Sequence, residues 1–104
     1  MPTLDVHPTR DQNTTAIAIA GDIDMATARI VRSHLEHALR SPPAKLVLDL
    51  GKVTFLGSEG LALLLDLRTT TTEKGTELVL RGAKRRVIYR PLQVTGLVDM
   101  FVIE

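Results

Sequence analysis

The chain has 104 residues, of which 44% are hydrophobic and 24% charged, and it contains no cysteine. This length fits one domain with one core, and the composition is that of a globular protein. The formal net charge of +1 supplies no overall field that would draw the chain to nucleic acid or to a membrane surface. Disulfides and thiolate metal sites are excluded. With neither a signal-peptide pattern nor a membrane-spanning apolar run, we predict a cytoplasmic protein without membrane insertion.

The first forty residues predict a β-hairpin followed by a helix. Leu4 and Val6 alternate with polar neighbours, and residues 14–20 alternate again after a polar break. Asp24 is a candidate N-cap, because its carboxylate can accept a hydrogen bond from an otherwise unpaired backbone N–H. The apolar stripe of the helix consists of Ala28, Val31, Leu35 and Ala38. The prolines at 42 and 43 end it.

The middle of the chain predicts a central strand and a second helix. Residues 45–50 form a nearly continuous apolar run, as expected for a strand covered on both faces. Gly51 and Lys52 indicate a turn, and residues 53–56 a further short strand. The helix then begins near Ser58. The threonines at 69–72 should weaken its last turn, and it ends at Gly75.

The final third predicts a strand over 76–81, a helix over 83–94 that Pro91 bends or breaks, and a strand over 100–103. The order is β-β-α-β-α-β-α-β. Strands that alternate with short helices imply right-handed crossovers, so the fold class is α/β with a mixed, partly parallel sheet.

Side chains that could carry chemistry are few, and each has a simpler interpretation. His34 and His37 are three residues apart on one helix and could share a metal with Glu36 nearby, but a stable site needs a third convergent ligand. A solvent-exposed helix face is the favoured interpretation. The glycine directly before Ser58 does not fit the Gly-x-Ser-x-Gly elbow of serine hydrolases, and no P-loop is present. We predict no catalytic residue, metal or cofactor.

A basic cluster lies in the last third of the chain. It consists of Arg81, Lys84, Arg85, Arg86 and Arg90. The cluster could bind phosphates or an acidic partner, although the solvent face of a helix explains it more simply in a chain of nearly neutral charge. The low aromatic content argues against stacking on nucleic-acid bases, and we predict no direct nucleic-acid binding.

The start of the second helix is the remaining candidate site. Ser58 is interpreted as the N-cap, and Glu59 as a favourable anion in the first turn. Negative charge is tolerated at a helix N-terminus, and a phosphate group adds a charge of about −1.5 to −2 there. A phosphoserine would therefore change this surface strongly.

Three segments resemble one family. They are residues 21–24 (Gly-Asp-Ile-Asp), residues 46–61 around Gly57-Ser58-Glu59-Gly60, and the Thr-Gly-Leu turn at 95–97. Together they resemble the STAS-domain anti-sigma factor antagonists over nearly the whole chain. The resemblance implies one domain spanning residues 1–104, with helices packed mainly on one face of the sheet. It also implies a non-enzymatic protein that binds a serine/threonine-kinase-type anti-sigma factor and so regulates transcription. The kinase would release it by phosphorylation, and a phosphatase would restore it.

The chain departs from the family pattern where the phosphate is added. The usual Asp-Ser-Ser/Thr-Gly carries the acceptor immediately before the glycine. With Gly60 aligned, that position is Glu59, the first serine falls on Ser58, and the aspartate falls on Gly57. Two hypotheses remain open: either Ser58 has become the acceptor, or Glu59 is a fixed partial substitute for the phosphorylated residue.

The expected partner surface joins the loop after the hairpin to the start of the second helix. Its residues are Asp22, Asp24, Met25, Gly57, Ser58, Glu59 and Gly60. The glycines would permit close approach of a partner backbone. The alternative function is a soluble STAS component that docks on a membrane transporter of lipids or anions, and a nucleotide-binding protein ranks last. Genome neighbourhood would discriminate, since an anti-sigma kinase gene favours the first function and transporter genes the second.

Overall fold

Alternating apolar residues at the start of the chain form an antiparallel hairpin, and three helix–strand units follow it. A computed structural model describes residues 4–104. The elements are β1 (Leu4–Asp11), β2 (Thr14–Ile23), α1 (Ala28–Ala38), β3 (Lys45–Leu56), α2 (Ser58–Glu73), β4 (Glu77–Arg81), α3 (Arg86–Val94) and β5 (Val102–Ile103). Residues 1–3, which the prediction of a 1–104 domain also includes, lie outside the described residues.

The five strands form one mixed sheet in the order β1-β2-β3-β4-β5. β1 is antiparallel to β2, and all other neighbours are parallel. Because parallel crossovers are right-handed and the spatial order equals the chain order, α1, α2 and α3 cover the same face of the sheet. The predicted α/β fold, with helices mainly on one face, is confirmed.

The core lies between that face and the three helices. Its most deeply buried members are Ile17, Ile19, Ile23, Val31, Leu46, Leu48, Leu50, Val53, Leu63, Leu64, Leu80, Ala83, Ile88 and Leu92. Since side chains alternate along a strand, the other face carries Ala16, Ala18 and Val47 together with charged residues such as Asp49 and Arg81. The helix-covered face thus supplies the main apolar core.

β3 is one continuous strand, so the predicted turn at Gly51 and Lys52 is wrong. The register with β2 slips between the Ala18–Asp49 and Ala20–Lys52 pairs and again after the Gly21–Val53 pair. At each slip β3 holds one residue more than β2, which defines a β-bulge. Glycine and lysine at the first bulge look like a turn because the apolar alternation breaks there.

α2 runs from Ser58 to Glu73 and includes the whole threonine run. Those threonines do not shorten the helix, because their hydroxyls find acceptors on it. Thr71 Oγ1 donates to Leu67 O at 2.9 Å, and Thr69 Oγ1 donates to Leu65 O at 3.2 Å.

α3 continues through Pro91, so the predicted break there is not found. Pro91 offers no amide to the preceding turn, but its carbonyl accepts both the amide and the hydroxyl of Thr95, at 3.2 and 2.7 Å. Burial of Ile88 and Leu92 anchors the helix to the core. A short 3₁₀ turn at Val98–Met100 occupies the place where the last strand was expected to begin, so β5 is only two residues long.

No helix within residues 4–104 is long and apolar enough to cross a bilayer.

Candidate functional site

The predicted surface lies where β2 and β3 end. These strands are parallel neighbours, so the loops that follow them leave the same edge of the sheet, which is where ligands bind in open α/β folds. The Gly57 amide donates to Ile23 O at 2.9 Å and ties the start of α2 to the end of β2. The two sequence segments are therefore adjacent in space.

Asp24 holds the loop before α1. Its Oδ1 accepts the amides of Ala26 at 2.9 Å and Thr27 at 3.1 Å, while Thr27 Oγ1 accepts the Asp24 amide at 2.9 Å. This reciprocal pair is a capping box. The N-cap of α1 is Thr27, so the predicted N-cap at Asp24 is wrong, and Asp24 instead caps the turn that precedes Ala28. Its carboxylate therefore serves the loop itself.

Asp22 lies beside the second bulge of β3. It is exposed, and its Oδ1 accepts a hydrogen bond from Thr54 Oγ1, where Thr54 is the extra residue of that bulge. Asp22 also pairs in register with Phe55, whose side chain is 51% exposed. An aromatic ring is thus presented next to an acidic group.

Ser58 is the first residue of α2 rather than its N-cap, which corrects the sequence interpretation. The N-cap is Gly57, whose extended backbone presents its carbonyl to the amides of Gly60 and Leu61 at 3.0 and 3.1 Å. The Ser58 hydroxyl instead donates to Glu59 Oε2 at 2.6 Å. In the described part of the chain, no side chain forms a capping hydrogen bond at this helix start. The Ser58 hydroxyl and the Glu59 carboxylate therefore face solvent at the N-terminus of α2, where the helix dipole carries partial positive charge.

Gly60 packs against its own chain. It is buried, and a Cβ there would overlap Leu56 Cδ1 and lie 3.1 Å from Ile23 Cγ2. A Cβ at Gly57 would lie 3.1 Å from the Phe55 ring. Glycine was expected at these positions to let a partner backbone approach closely. Packing within this chain also requires it, because a Cβ at either position would crowd neighbouring side chains.

Two exposed apolar side chains flank the helix start. Met25, which the sequence had indicated, is 77% exposed, whereas Phe55 had been missed. We call the set Asp22, Met25, Phe55, Ser58 and Glu59 the α2-start surface. Aromatic and methionine side chains are enriched in protein interfaces, so the exposed Met25 and Phe55 fit a partner surface.

The basic cluster divides into two parts. Arg85 Nη1 donates to Leu50 O at 3.0 Å and to Val53 O at 2.9 Å, which are carbonyls on either side of the first bulge. Arg81 forms an ion pair of 3.7 Å with Glu104. All five side chains of the cluster belong to exposed residues, but Arg81 and Arg85 contact other elements of the fold, whereas Lys84, Arg86 and Arg90 lie on or near α3.

The sequential mixed sheet, with a hydroxyl and a carboxylate at the start of the helix after its central strand, defines the class as a STAS domain. A family model described as "Mlab, STAS domain" matches residues 6–103. By sequence the chain is 36% identical over 94 residues to the anti-sigma-F factor antagonist RsfB of Mycobacterium tuberculosis, covering 88% of this chain and 74% of the relative. It is 33% identical over 95 residues to the anti-sigma-B factor antagonist of Listeria monocytogenes, covering 91% and 82%. The chain belongs to the STAS-domain anti-sigma factor antagonist family.

Solved structures agree with this assignment. An anti-sigma factor antagonist from Mycobacterium paratuberculosis superposes with a TM-score of 0.83 at 28% identity, covering 97% of this chain and 85% of that one. Unphosphorylated SpoIIAA superposes with a TM-score of 0.78 at 14% identity, covering 98% and 88%. At 14% identity, the similarity to SpoIIAA shows a shared fold alone.

Proposed function

We propose that this protein is an anti-sigma factor antagonist that binds a serine/threonine-kinase-type anti-sigma factor through its α2-start surface. Binding would withdraw the anti-sigma factor from its sigma factor and so regulate transcription in the cytoplasm. The protein would act as ligand and kinase substrate without catalysing a reaction. A phosphatase would reverse the modification.

The observation that carries the proposal is the exposed Ser58 hydrogen-bonded to the half-buried Glu59 at a helix start without a side-chain cap, flanked by Met25 and Phe55. The apolar side chains provide area that a partner can bury, and the polar pair provides a place where one added charge changes the surface. The sequence likeness to two named antagonists supports the same function.

The geometry favours Ser58 as the acceptor over Glu59 as a fixed substitute. The Ser58 side chain is exposed, and its only hydrogen bond among the described residues is with its neighbour, so a kinase can reach it without unfolding α2. A phosphate there would lie close to uncapped N–H groups of the helix. It would also lie beside the Glu59 carboxylate, and this repulsion would strengthen the change that a partner detects.

The test is to incubate the purified protein with ATP and each kinase-type anti-sigma factor of its host. Intact mass would then be measured, any modified residue mapped, and binding recorded in parallel. We expect one added phosphate on Ser58, its loss in Ser58→Ala, and weaker binding of the modified protein. Ser33→Ala is the matched control, because Ser33 is an exposed serine on the remote helix α1.

The other outcomes separate the alternatives. Binding without modification by any kinase would favour Glu59 as a fixed substitute. If the protein is neither bound nor modified by any of these kinases, the antagonist proposal is contradicted, and docking on a membrane transporter is favoured.

A further inference from the structure

A recess of about 340 Å³ separates the β1–β2 hairpin from the C-terminal half of α1. It is lined by Pro8, Thr9, Arg10, Thr15, His34, His37, Ala38 and Ser41. Thr15 lies at the start of β2, whereas the α2-start surface follows the ends of β2 and β3. The recess is therefore at the opposite end of the parallel strands, and it has no part in the function proposed above.

Within the described part of the chain, Thr15 is the residue of the recess whose side-chain hydroxyl lacks a hydrogen-bond partner. It is only 5% exposed, and among residues 4–104 its hydroxyl is the one buried side-chain polar atom without a hydrogen bond. Burying a hydroxyl without a partner is unfavourable, and valine would fill the same volume without that cost. Because Thr15 lines the recess, its hydroxyl is the buried polar group that a ligand seated there would satisfy.

The other lining groups determine which ligand chemistry fits. None of the lining side chains is a carboxylate, while Arg10 supplies a guanidinium and His34 and His37 supply imidazoles one helical turn apart. Arg10 is held in position, since its Nη1 donates to Ser41 O at 3.1 Å and its Nε donates to Gln12 O at 3.2 Å. Donors of this kind bind the oxygens of phosphates and carboxylates.

A metal ion fits the recess less well. Across the described part of the chain, no three histidine, aspartate or glutamate side chains converge on one point. Two imidazoles alone leave a transition metal without the third protein ligand that stable sites have. We propose that the recess binds a small oxyanion, a phosphate or carboxylate group, held by Arg10, His34 and His37 with the Thr15 hydroxyl at its floor.

The test is a nuclear magnetic resonance titration of the labelled full chain in phosphate-free buffer at constant pH and ionic strength. Inorganic phosphate is added in one series and sodium acetate in another, which distinguishes the two oxyanion sources. We expect saturable shifts of the His34 and His37 imidazole signals and of the Thr15 amide. His7, which lines a different depression with Asp49 and Lys52, should not shift.

Three variants complete the test. Thr15→Val, nearly isosteric, and His37→Gln, at an exposed position, should each raise the apparent Kd at least about threefold. His7→Gln is the matched control and should leave the Kd unchanged. The proposal is overturned if neither anion gives a saturable shift, if His7 shifts in parallel, or if Thr15→Val and His37→Gln both bind as the unchanged chain does. A response to zinc chloride without a response to either anion would also overturn it, in favour of a two-histidine metal site.

Discussion

The acidic side chains around the start of α2 have different tasks, which their hydrogen bonds distinguish. The Asp24 carboxylate is occupied by two backbone amides of its own loop. Among residues 4–104, the Asp22 carboxylate accepts a hydrogen bond only from the Thr54 hydroxyl, and the Glu59 carboxylate only from the Ser58 hydroxyl. The last two can exchange these contacts for a partner at small cost, because hydroxyl bonds on an exposed surface are replaced readily by bonds with water.

Phe55 is the residue whose removal should affect binding most without affecting the fold. The minority of interface residues whose truncation costs more than about 1 kcal/mol of binding free energy cluster near the centre of the interface. We therefore expect Phe55→Ala to weaken binding of the anti-sigma factor by about tenfold, measured by titration calorimetry. Val94→Ala is the control, since Val94 on α3 is an apolar residue that is 67% exposed, even more than Phe55. Equal losses in both variants would contradict the placement of the interface.

Sequence reasoning indicated some members of the proposed α2-start surface and not others. Ser58, Glu59 and Met25 follow from chemistry and resemblance, and the structure exposes or half-exposes all three. Gly60 had been assigned to the partner surface, whereas it is buried against Leu56, because space around a backbone cannot be read from one sequence. Phe55 was missed because its exposure depends on the bulge beside it.

At the scale of the element, β3 shows why a strand can look like two. Its residues that face the helices are Leu46, Leu48, Leu50, Val53 and Leu56. The spacing is two residues at first and three twice afterwards, since each bulge adds one residue. A strict period of two predicts only the first half of the strand, and the glycine at 51 then suggests a turn.

Arg85 stabilises the first bulge, and its neighbour provides a control. Its guanidinium donates to two carbonyls of β3, and hydrogen bonds from a charged donor contribute roughly 1.5–3 kcal/mol. We expect Arg85→Ala to lower the free energy of unfolding by about 1–3 kcal/mol in urea denaturation. Arg86→Ala removes the same charge from an exposed position and should change it by less than about 0.5 kcal/mol. Similar losses would show that the effect is one of charge alone.

At the scale of the whole molecule, the regular alternation of strands and helices was sufficient to predict the order of elements and the mixed sheet. Handedness then places all three helices on one face. The limits of α1, α3 and β5 were predicted less well, because turns such as Val98–Met100 depend on tertiary packing rather than on local propensity.

Protection of backbone amides against hydrogen exchange should decrease from the centre of the sheet to its edges. β3 has strands on both sides and core contacts throughout, whereas β5 is a two-residue edge strand. We expect the amides of Leu46 and Leu48 to exchange hydrogen at the free energy of global unfolding. Those of β5 should exchange at a value at least about 2 kcal/mol lower. Amide exchange followed by nuclear magnetic resonance checks this, and uniform protection across the sheet would contradict it.

The two bulges also decide where β3 can change length. Deleting Val47 would move every later side chain of β3 to the opposite face of the sheet, so that core residues would face solvent. Deleting Gly51 or Thr54 would remove one extra residue and leave the phase of the strand intact. Each such deletion would draw Ser58 toward the sheet by up to about 3.3 Å, the rise of one strand residue. The position of Ser58 relative to the sheet can therefore change by one strand residue at a time, while the same side chains of β3 remain in the core.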